Sequence, residues 1–251
     1  MVAIAIDCNH AKIVSITNCG EPMSSRYLVV ADIVGRISIS LYFIPVMISR
    51  VVAIHDIFAR GDLSSLDMVT VAADFSSMAF AGMMSVVAIT RLPPIRSAEN
   101  IEGYVTAMSG TFLLVLVVGY LPPAIETPMA LRLIGLGLTI IGCLASAYVL
   151  VYLGRAFSIM PEARALITSG PYSVVRNPLY LTEEIAVIGF IILNLSVWTV
   201  LLGAAHWMLQ LRRMVNEERV LQNAFPEYEG YAATVPRVVP FTSRGKLLSL
   251  R

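Results

Sequence analysis

The sequence predicts an all-α protein, a polytopic bundle of transmembrane helices. Of its 251 residues, 57% are hydrophobic and only 14% are charged, and the mean hydropathy is +0.76. A soluble domain carries about 25% charged residues. The apolar residues also come in long blocks, and about 20 of them are needed to cross a bilayer as a helix. We therefore expect an integral membrane protein without a large soluble domain.

The composition argues against nucleic-acid binding and against a metal site. A formal net charge of +1 offers no clustered basic face to a polyanion. The histidines and cysteines show none of the spacings that are typical of metal ligands. These six residues are His10, His55, His206, Cys8, Cys19 and Cys143. We therefore expect neither a metal nor a nucleic-acid partner.

Four apolar segments follow a more polar N-terminal stretch. The first 26 residues include Asp7, Lys12 and Glu21 and lack the layout of a signal peptide, so we assign 1–26 to a cytoplasmic tail. Residues 27–126 are assigned to N-terminal transmembrane helices. The four segments long enough to span a bilayer are Tyr27–Ile54, Met68–Thr90, Gly103–Ile125 and Met129–Leu153.

A fifth apolar block, residues 179–211, is too long for one span and too short for two full spans with a loop. Asn194, Leu195 and Ser196 lie near its middle. This pattern predicts a helical hairpin of two short helices. Residues 212–240 then begin with apolar positions at helical spacing, which indicates a cytoplasmic C-terminal helix leaving the membrane.

The distribution of basic residues predicts the orientation. Lys and Arg are enriched on the side of the loop 154–180 and of both termini, whereas the other side keeps Arg50 and Arg60, with Arg132 near its edge. Cytoplasmic loops carry this excess. We expect both termini in the cytoplasm and the protein in a bacterial inner membrane.

Two charged residues, Arg36 and Asp74, lie within predicted spans. An ionisable group at membrane depth is costly and therefore needs a partner or a function. We expect Arg36 either to snorkel to the membrane surface or to pair with Asp32 one turn earlier, and Asp74 to face a neighbouring helix. The alternative is a direct pair between Arg36 and Asp74.

The loop Ser169–Tyr180 crowds glycine, two prolines, two tyrosines and an arginine between apolar runs. Pro178 suits the first turn of a helix, and a helix N-terminus offers N–H donors and positive potential to a carboxylate. Downstream, Tyr228 and Tyr231 share one helical face, and Arg237 follows between prolines. We expect the downstream segment to cap a polar site formed by the loop.

The chain resembles the isoprenylcysteine carboxyl methyltransferase family of membrane methyltransferases, which also has phospholipid N-methyltransferase relatives. Four pieces carry the resemblance in order, between residues 153 and 240. They are LGRxFS in 153–158, SGPY…VRxPLY in 169–180, EERxL in 217–221 and FxxYxxYxxxVPRxxP in 225–240. The resemblance implies a methyltransferase core in residues 127–251, with the N-terminal helices on the acceptor side.

The resemblance also implies S-adenosylmethionine as methyl donor and a set of residues that hold it. The amino-acid end of the donor would lie against the loop, and its ammonium group or ribose would lie against Glu217 or Glu218. Tyr228, Tyr231 and Arg237 would close the pocket. The implied binding residues are Tyr172, Arg176, Asn177, Pro178, Tyr180, Glu217, Glu218, Tyr228, Tyr231 and Arg237. Arg176 and Glu184 are the candidate catalytic residues. Glu184 could take a proton from an amine acceptor, and we expect Glu184 or the adjacent Glu183 to face the site.

The implied reaction is methyl transfer to a lipophilic acceptor that enters from the membrane lipids. Carboxyl O-methylation of a prenylated or other lipophilic small molecule is the first interpretation, and N-methylation of a phospholipid head group is the alternative. A non-catalytic membrane binding protein that retains the fold is an alternative of another class. Two differences from the family pattern favour this non-catalytic alternative. Asn177 stands where the family usually has histidine, and Thr182 stands where the family commonly has glycine.

Overall fold

The computed structural model describes residues 25–98, 100–118 and 127–240. All but the last two residues of the predicted N-terminal tail, 1–26, lie outside these ranges. So do residues 119–125 of the predicted third span and most of the proline-rich connection that follows it.

The described residues form seven helices, which confirm the predicted all-α bundle. They are α1 Ser25–Ala59, α2 Ser65–Thr90, α3 Ile101–Val118, α4 Met129–Leu153, α5 Pro178–Leu193, α6 Val197–Ala224 and α7 Tyr228–Thr234. Single turns of 3₁₀ helix occupy Gly154–Ala156 and Gly170–Ser173. Two short strands, β1 Arg96–Ser97 and β2 Glu162–Ala163, pair antiparallel, so the loop after α2 lies against the loop after α4.

Three helical segments of the described chain are long and apolar enough to cross a membrane: Gly35–Ala59, Ser65–Thr90 and Met129–Ala156. They coincide with the first, second and fourth predicted spans. The described part of α3 has 18 residues, and the predicted third span continues into residues outside the description.

The predicted hairpin is present as α5 and α6. The turn falls at Asn194–Ser196, and Ser196 begins α6 by accepting a hydrogen bond from the backbone N–H of Thr199, as an N-cap serine does. However, α6 does not end with the apolar block. It runs on without a break to Ala224, so one continuous helix connects the interior of the bundle with the polar C-terminal motif.

Small residues let α4 and α5 approach each other closely. A Cβ atom on Gly142 would lie 2.3 Å from the backbone nitrogen of Ala186, and one on Gly189 would lie 2.6 Å from the carbonyl oxygen of Gly135. No side chain fits at such distances. Elsewhere in the bundle, α2 packs against both α1 and α4, and α3 packs against α6.

A buried ionic cluster ties α1 to the loops that follow α2 and α4. Asp32 lies 2.8 Å from Arg36, 2.9 Å from Arg91 and 2.8 Å from Arg164. The expected Arg36–Asp32 pair is thus confirmed. The alternative pair with Asp74 does not form, because the carboxylate of Asp74 lies 3.2 Å from Arg50 instead.

Candidate active site

One cavity of about 250 Å³ reaches from the C-terminal loops into the helix bundle. Part of its wall is apolar and comes from the N-terminal helices and the end of α4: Phe43, Phe80, Met84 and Leu153. Another part is polar: Tyr172, Arg176, Tyr180, Arg213, Glu217 and Tyr231. Polar groups that could bind a charged ligand therefore share a single space with an apolar wall.

The loop before α5 is joined to the C-terminal segment through the backbone. The N–H of Arg176 donates to the carbonyl of Pro236 at 2.9 Å, and the N–H of Asn177 donates to that of Arg237 at 3.1 Å. As predicted, α5 begins at Pro178. These bonds bring the loop and the C-terminal segment together, although 60 residues separate Asn177 from Arg237.

Gly170 fixes the start of this loop. Its φ of +59° lies in the left-handed region, and a Cβ atom there would lie 2.2 Å from the ring of Tyr152. Glycine alone meets both conditions without strain. The 3₁₀ turn that follows carries Tyr172 into the cavity wall.

Glu218 holds the loop before α5 to the C-terminal segment. Its carboxylate accepts hydrogen bonds from the side chains of Asn177 at 2.7 Å and Arg237 at 2.9 Å, and it lies 3.4 Å from Arg176. The residue is only 6% exposed. Of the predicted cofactor residues, Pro178, Glu218 and Arg237 do not line the cavity. Glu218 and Arg237 instead hold in place residues that do line it, Asn177 and Arg176.

Glu217 lines the cavity and bridges α5 and α6. Its carboxylate accepts a hydrogen bond from the hydroxyl of Tyr180 at 2.5 Å and one from the Nε of Arg213 at 3.0 Å. The guanidinium of Arg213 lies 5.2 Å from the centre of the Tyr180 ring and also donates to Thr111 and to the carbonyl of Ile159. The sequence had left Glu217 and Glu218 as alternatives, and the cavity wall contains the first of them.

Three tyrosines of the loop before α5 and of α7 remain protonated hydrogen-bond donors. The hydroxyl of Tyr231 donates to the carbonyl of Tyr172 at 2.6 Å, and the rings of Tyr228 and Tyr231 meet edge to face. Burial raises the pKa of Tyr231 to about 12 and raises the pKa values of Tyr172 and Tyr228 above their usual range. A neutral hydroxyl can donate to a ligand oxygen.

Two donors in this wall are buried and have no partner among the described residues. They are the Nε of Arg176 and the hydroxyl of Tyr228, and both residues line the cavity. An unsatisfied buried polar group costs roughly 1–3 kcal/mol, so a bound group is expected to satisfy them. Together with the Glu217 carboxylate, they suit a ligand that has both a carboxylate and an ammonium group.

The two adjacent acids of α5 point in different directions, as expected. Glu183 lines the cavity, whereas Oε1 of Glu184 lies 3.1 Å from the Nε2 of His206 on α6. The predicted catalytic candidate Glu184 is thus not part of the cavity wall, but its partner His206 is.

Sequence reasoning missed His206, Gln210 and Arg213 as residues of the cavity wall. With Glu217, their spacing of four, three and four residues places them on one face of a helix. That spacing is the signal that could have found them.

Thr182, which stands where the resembled family commonly has glycine, has a structural role. Its hydroxyl accepts a hydrogen bond from Ser146 of α4 at 2.9 Å and donates to the carbonyl of Leu179 at 3.0 Å. Thr182 faces α4 and does not line the cavity, so it does not determine how closely a ligand approaches. Asn177, the other departure, lines the cavity and is held by Glu218.

Comparison with known proteins finds a family match in the C-terminal half of the chain. Residues 125–228 match the family model described as phospholipid methyltransferase. This match confirms the predicted resemblance over residues 125–228, which are less than half of the chain.

Two curated relatives are also similar to this region. The cobalt-zinc-cadmium resistance protein CzcN of Cupriavidus metallidurans is 32% identical over 113 residues, which are 45% of this chain and 49% of that protein. The nickel-cobalt-cadmium resistance protein NccN of Alcaligenes xylosoxydans xylosoxydans is 29% identical over 80 residues, 32% of this chain and 38% of that protein. The chain thus spans less than half the length of these relatives. Among the described residues, no three His, Cys, Asp or Glu side chains come together as metal ligands.

Proposed function

We propose that the protein is an S-adenosylmethionine-dependent methyltransferase that acts on a lipophilic acceptor within the membrane. The observation that carries this proposal is a cavity in which hydrogen-bond donors and a carboxylate meet an apolar wall. Residues 125–228 match a methyltransferase family, which supports it. The names of the two relatives refer to metal resistance, so the proposal rests on the cavity and the family match.

The residues present fit the methyl donor. Arg176 and Tyr228 have buried donors available for its carboxylate, and Glu217 offers an acceptor for its ammonium group. The rings of Tyr172 and Tyr231 offer flat faces for its adenine. When bound, S-adenosylmethionine supplies an electrophilic methyl group on a sulfonium.

The apolar wall suits an acceptor that arrives from the bilayer. Phe43 and Met84 are buried members of the core cluster that also contains Leu179, and Phe80 packs against that cluster. A long-chain or prenylated acceptor would be desolvated here, at roughly 25 cal/mol for each Å² of apolar surface buried. Carboxyl O-methylation and amine N-methylation both suit this arrangement. The two reactions differ in the polar group that the interior of the bundle must hold.

Methyl transfer to a lipophilic acceptor depends mainly on alignment of the nucleophile with the methyl carbon. The pair of Tyr180 and Glu217 fixes α5 against α6 at this point. Asn177 and Thr182 make hydrogen bonds that hold the loop and α5 in place, so they give no support to the non-catalytic alternative. We further propose that the loop 154–180 faces the cytoplasm of the inner membrane, where the donor is available.

Tracing of a labelled methyl group tests the proposal. Membranes that contain the full chain are incubated with methyl-labelled S-adenosylmethionine, and the lipid extract is separated. We expect a labelled lipid that is absent with Glu217→Ala and present with the matched control Glu229→Ala, since Glu229 is exposed on α7. Equal labelling with and without the protein would contradict the proposal.

A further inference from the structure

A second cavity, of about 220 Å³, lies between the loop that carries β1, the residue before α3 and the last turns of α6. Six of the residues that line it have polar side chains: Arg96, Ser97, Asn100, Asn216, Arg219 and Asn223. Among the described residues, the second cavity shares no lining residue with the first. It is therefore a separate space.

Helix α6 presents a different face to each cavity. Asn216, Arg219 and Asn223 follow one another at intervals of three and four residues, so they share one face of the helix. Glu217, which lines the first cavity, is turned by about 100° from Asn216. Arg219 is part of the EERxL motif but does not line the first cavity. The proposed methyl transfer thus leaves Arg219 without a role.

The positive charge of Arg219 has no partner of opposite charge in the described chain. The other two arginines of α6 do have one, because Arg212 pairs with Glu102 and Arg213 pairs with Glu217. In addition, no Asp or Glu is found among the described residues that line the second cavity. A cavity lined in this way attracts an anion.

Asn216 holds Arg219 at the wall of the second cavity. Asn216 is 3% exposed, and its amide nitrogen donates to the hydroxyl of Thr106 on α3 at 3.2 Å. Its Oδ1 accepts a hydrogen bond from the Nη1 of Arg219 at 3.4 Å. The other N–H groups of this guanidinium have no hydrogen bond to a described residue. They are available to a phosphate, whose oxygens match the planar fork of arginine.

Further donors line the second cavity from the side of the loop. Nη1 of Arg96 donates to the carbonyl of Asn223 at 3.1 Å, so a second guanidinium is held next to α6. Oδ1 of Asn100 accepts a hydrogen bond from the N–H of Gly103 at 3.3 Å. The NH₂ group of Asn100 is then the part of this side chain that remains for a ligand. The cavity therefore offers several N–H donors to a ligand that has several oxygen atoms.

We propose that the second cavity binds a phosphate group, with Arg219 as its principal contact. This inference does not depend on the proposed methyltransferase function. The bound phosphate accepts hydrogen bonds from Arg219 on α6 and from Arg96 on β1, and it thereby links the loop after α2 to α6.

The phosphate can come from a lipid head group or from free phosphate. Apolar side chains next to the second cavity favour the lipid, because Ile101 and Val105 on α3 are 80% and 58% exposed. These residues would contact the acyl chains while the head group lies in the cavity. Basic residues close to a membrane surface attract anionic lipids.

Calorimetric titration of the full chain in a non-ionic detergent tests the site with three probes. Dihexanoyl phosphatidylglycerol carries a phosphate and no amine, dihexanoylglycerol has the same acyl chains without a phosphate, and inorganic phosphate has no chains. We expect saturable binding of the phospholipid and none of dihexanoylglycerol. Weaker binding of inorganic phosphate than of the phospholipid would support a lipid head group as the ligand. Equal binding of the two would support free phosphate.

Arg219→Gln removes the charge at an exposed position, so the variant should keep the thermal midpoint of the wild type. Loss of a hydrogen bond between charged groups should raise the Kd for dihexanoyl phosphatidylglycerol about tenfold. Arg219→Lys keeps the charge but not the planar fork, and its Kd should lie between these two values. Arg132→Gln is the matched control, since Arg132 is exposed on α4 and lines neither cavity.

Wild-type affinity for the phospholipid in Arg219→Gln would overturn the inference. Binding of dihexanoylglycerol as tight as that of the phospholipid would also overturn it, and so would the absence of binding for both phosphate probes. The affinity for S-adenosylmethionine should be the same in Arg219→Gln as in the wild type, and its loss would place Arg219 in the first cavity instead. Failure of the wild-type protein to bind S-adenosylmethionine would contradict the proposed function alone.

Discussion

The hydroxyl of Tyr180 donates a 2.5 Å hydrogen bond to the carboxylate of Glu217, 37 residues further along the chain. This contact joins the first turn of α5 to the part of α6 that carries the polar C-terminal motif. Arg213 reinforces it by binding Glu217 and lying against the Tyr180 ring. The two helices of the hairpin are thus fixed to each other at the wall of the cavity.

Loss of the Tyr180 hydroxyl should weaken donor binding without unfolding the protein. Tyr180→Phe keeps the ring against Arg213 but leaves the Glu217 carboxylate with one hydrogen bond fewer, worth about 1.5–3 kcal/mol for a charged partner. We expect the Kd for S-adenosylmethionine to rise about tenfold in calorimetric titration. Tyr148→Phe is the control, because the hydroxyl of Tyr148 is exposed and bonds only Tyr152 among the described side chains. Equal affinities in the two variants would contradict the assignment.

Arg213 and its neighbour Arg212 offer a matched comparison. Arg213 is buried and uses its guanidinium for Glu217, Thr111 and the carbonyl of Ile159, whereas Arg212 is exposed and pairs with Glu102. Lysine cannot reproduce the planar fork of arginine. Arg213→Lys should therefore lower both the thermal midpoint and donor affinity, and Arg212→Lys should change neither. A larger effect at Arg212 would refute the described arrangement.

Removal of the Glu218 carboxylate should destabilise the C-terminal segment. Glu218→Ala leaves Arg176, Arg237 and the Asn177 amide without their shared acceptor, and breaking a buried ion pair costs about 3–5 kcal/mol. We expect a clear fall in the thermal midpoint and faster proteolysis beyond residue 224. Glu229→Ala should leave both unchanged. A stable Glu218→Ala protein with normal proteolysis would show that the loop is held in another way.

The contact between α4 and α5 should tolerate no added methyl group at Gly142. Its Cβ position lies 2.3 Å from a backbone nitrogen of α5, and overpacking a core costs about 1–3 kcal/mol. Gly142→Ala should lower the thermal midpoint measured in detergent. Gly137→Ala is the control, since nothing lies within 4 Å of its Cβ position. An unchanged midpoint for Gly142→Ala would mean that the helices are further apart.

The sequence predicted most of the bundle, because apolar blocks and turn residues are local signals. The three spans and the turn at Asn194–Ser196 were visible in this way. The sequence did not predict that α6 continues past Arg212, because a change from apolar to charged composition resembles the end of a helix. The sequence also could not predict the contacts of Arg91. They depend on Asp32, 59 residues earlier, and on how the loops fold over the bundle.

The sequence predicted several residues that line the cavity, and the structure shows how they are arranged. The sequence motifs located Tyr172, Arg176, Tyr180 and Glu217, which line the cavity. They could not show which of two adjacent acids faces inward, because that depends on how each helix is rotated against its neighbour. The same rotation brings Glu184 to His206 and leaves Glu183 in the cavity wall.

Calorimetric titration of the purified full chain with S-adenosylmethionine tests the central claim most directly. The proposed function predicts saturable binding that is lost with Glu217→Ala and retained with Glu229→Ala. No binding by the wild-type protein, or equal binding by both variants, would contradict it.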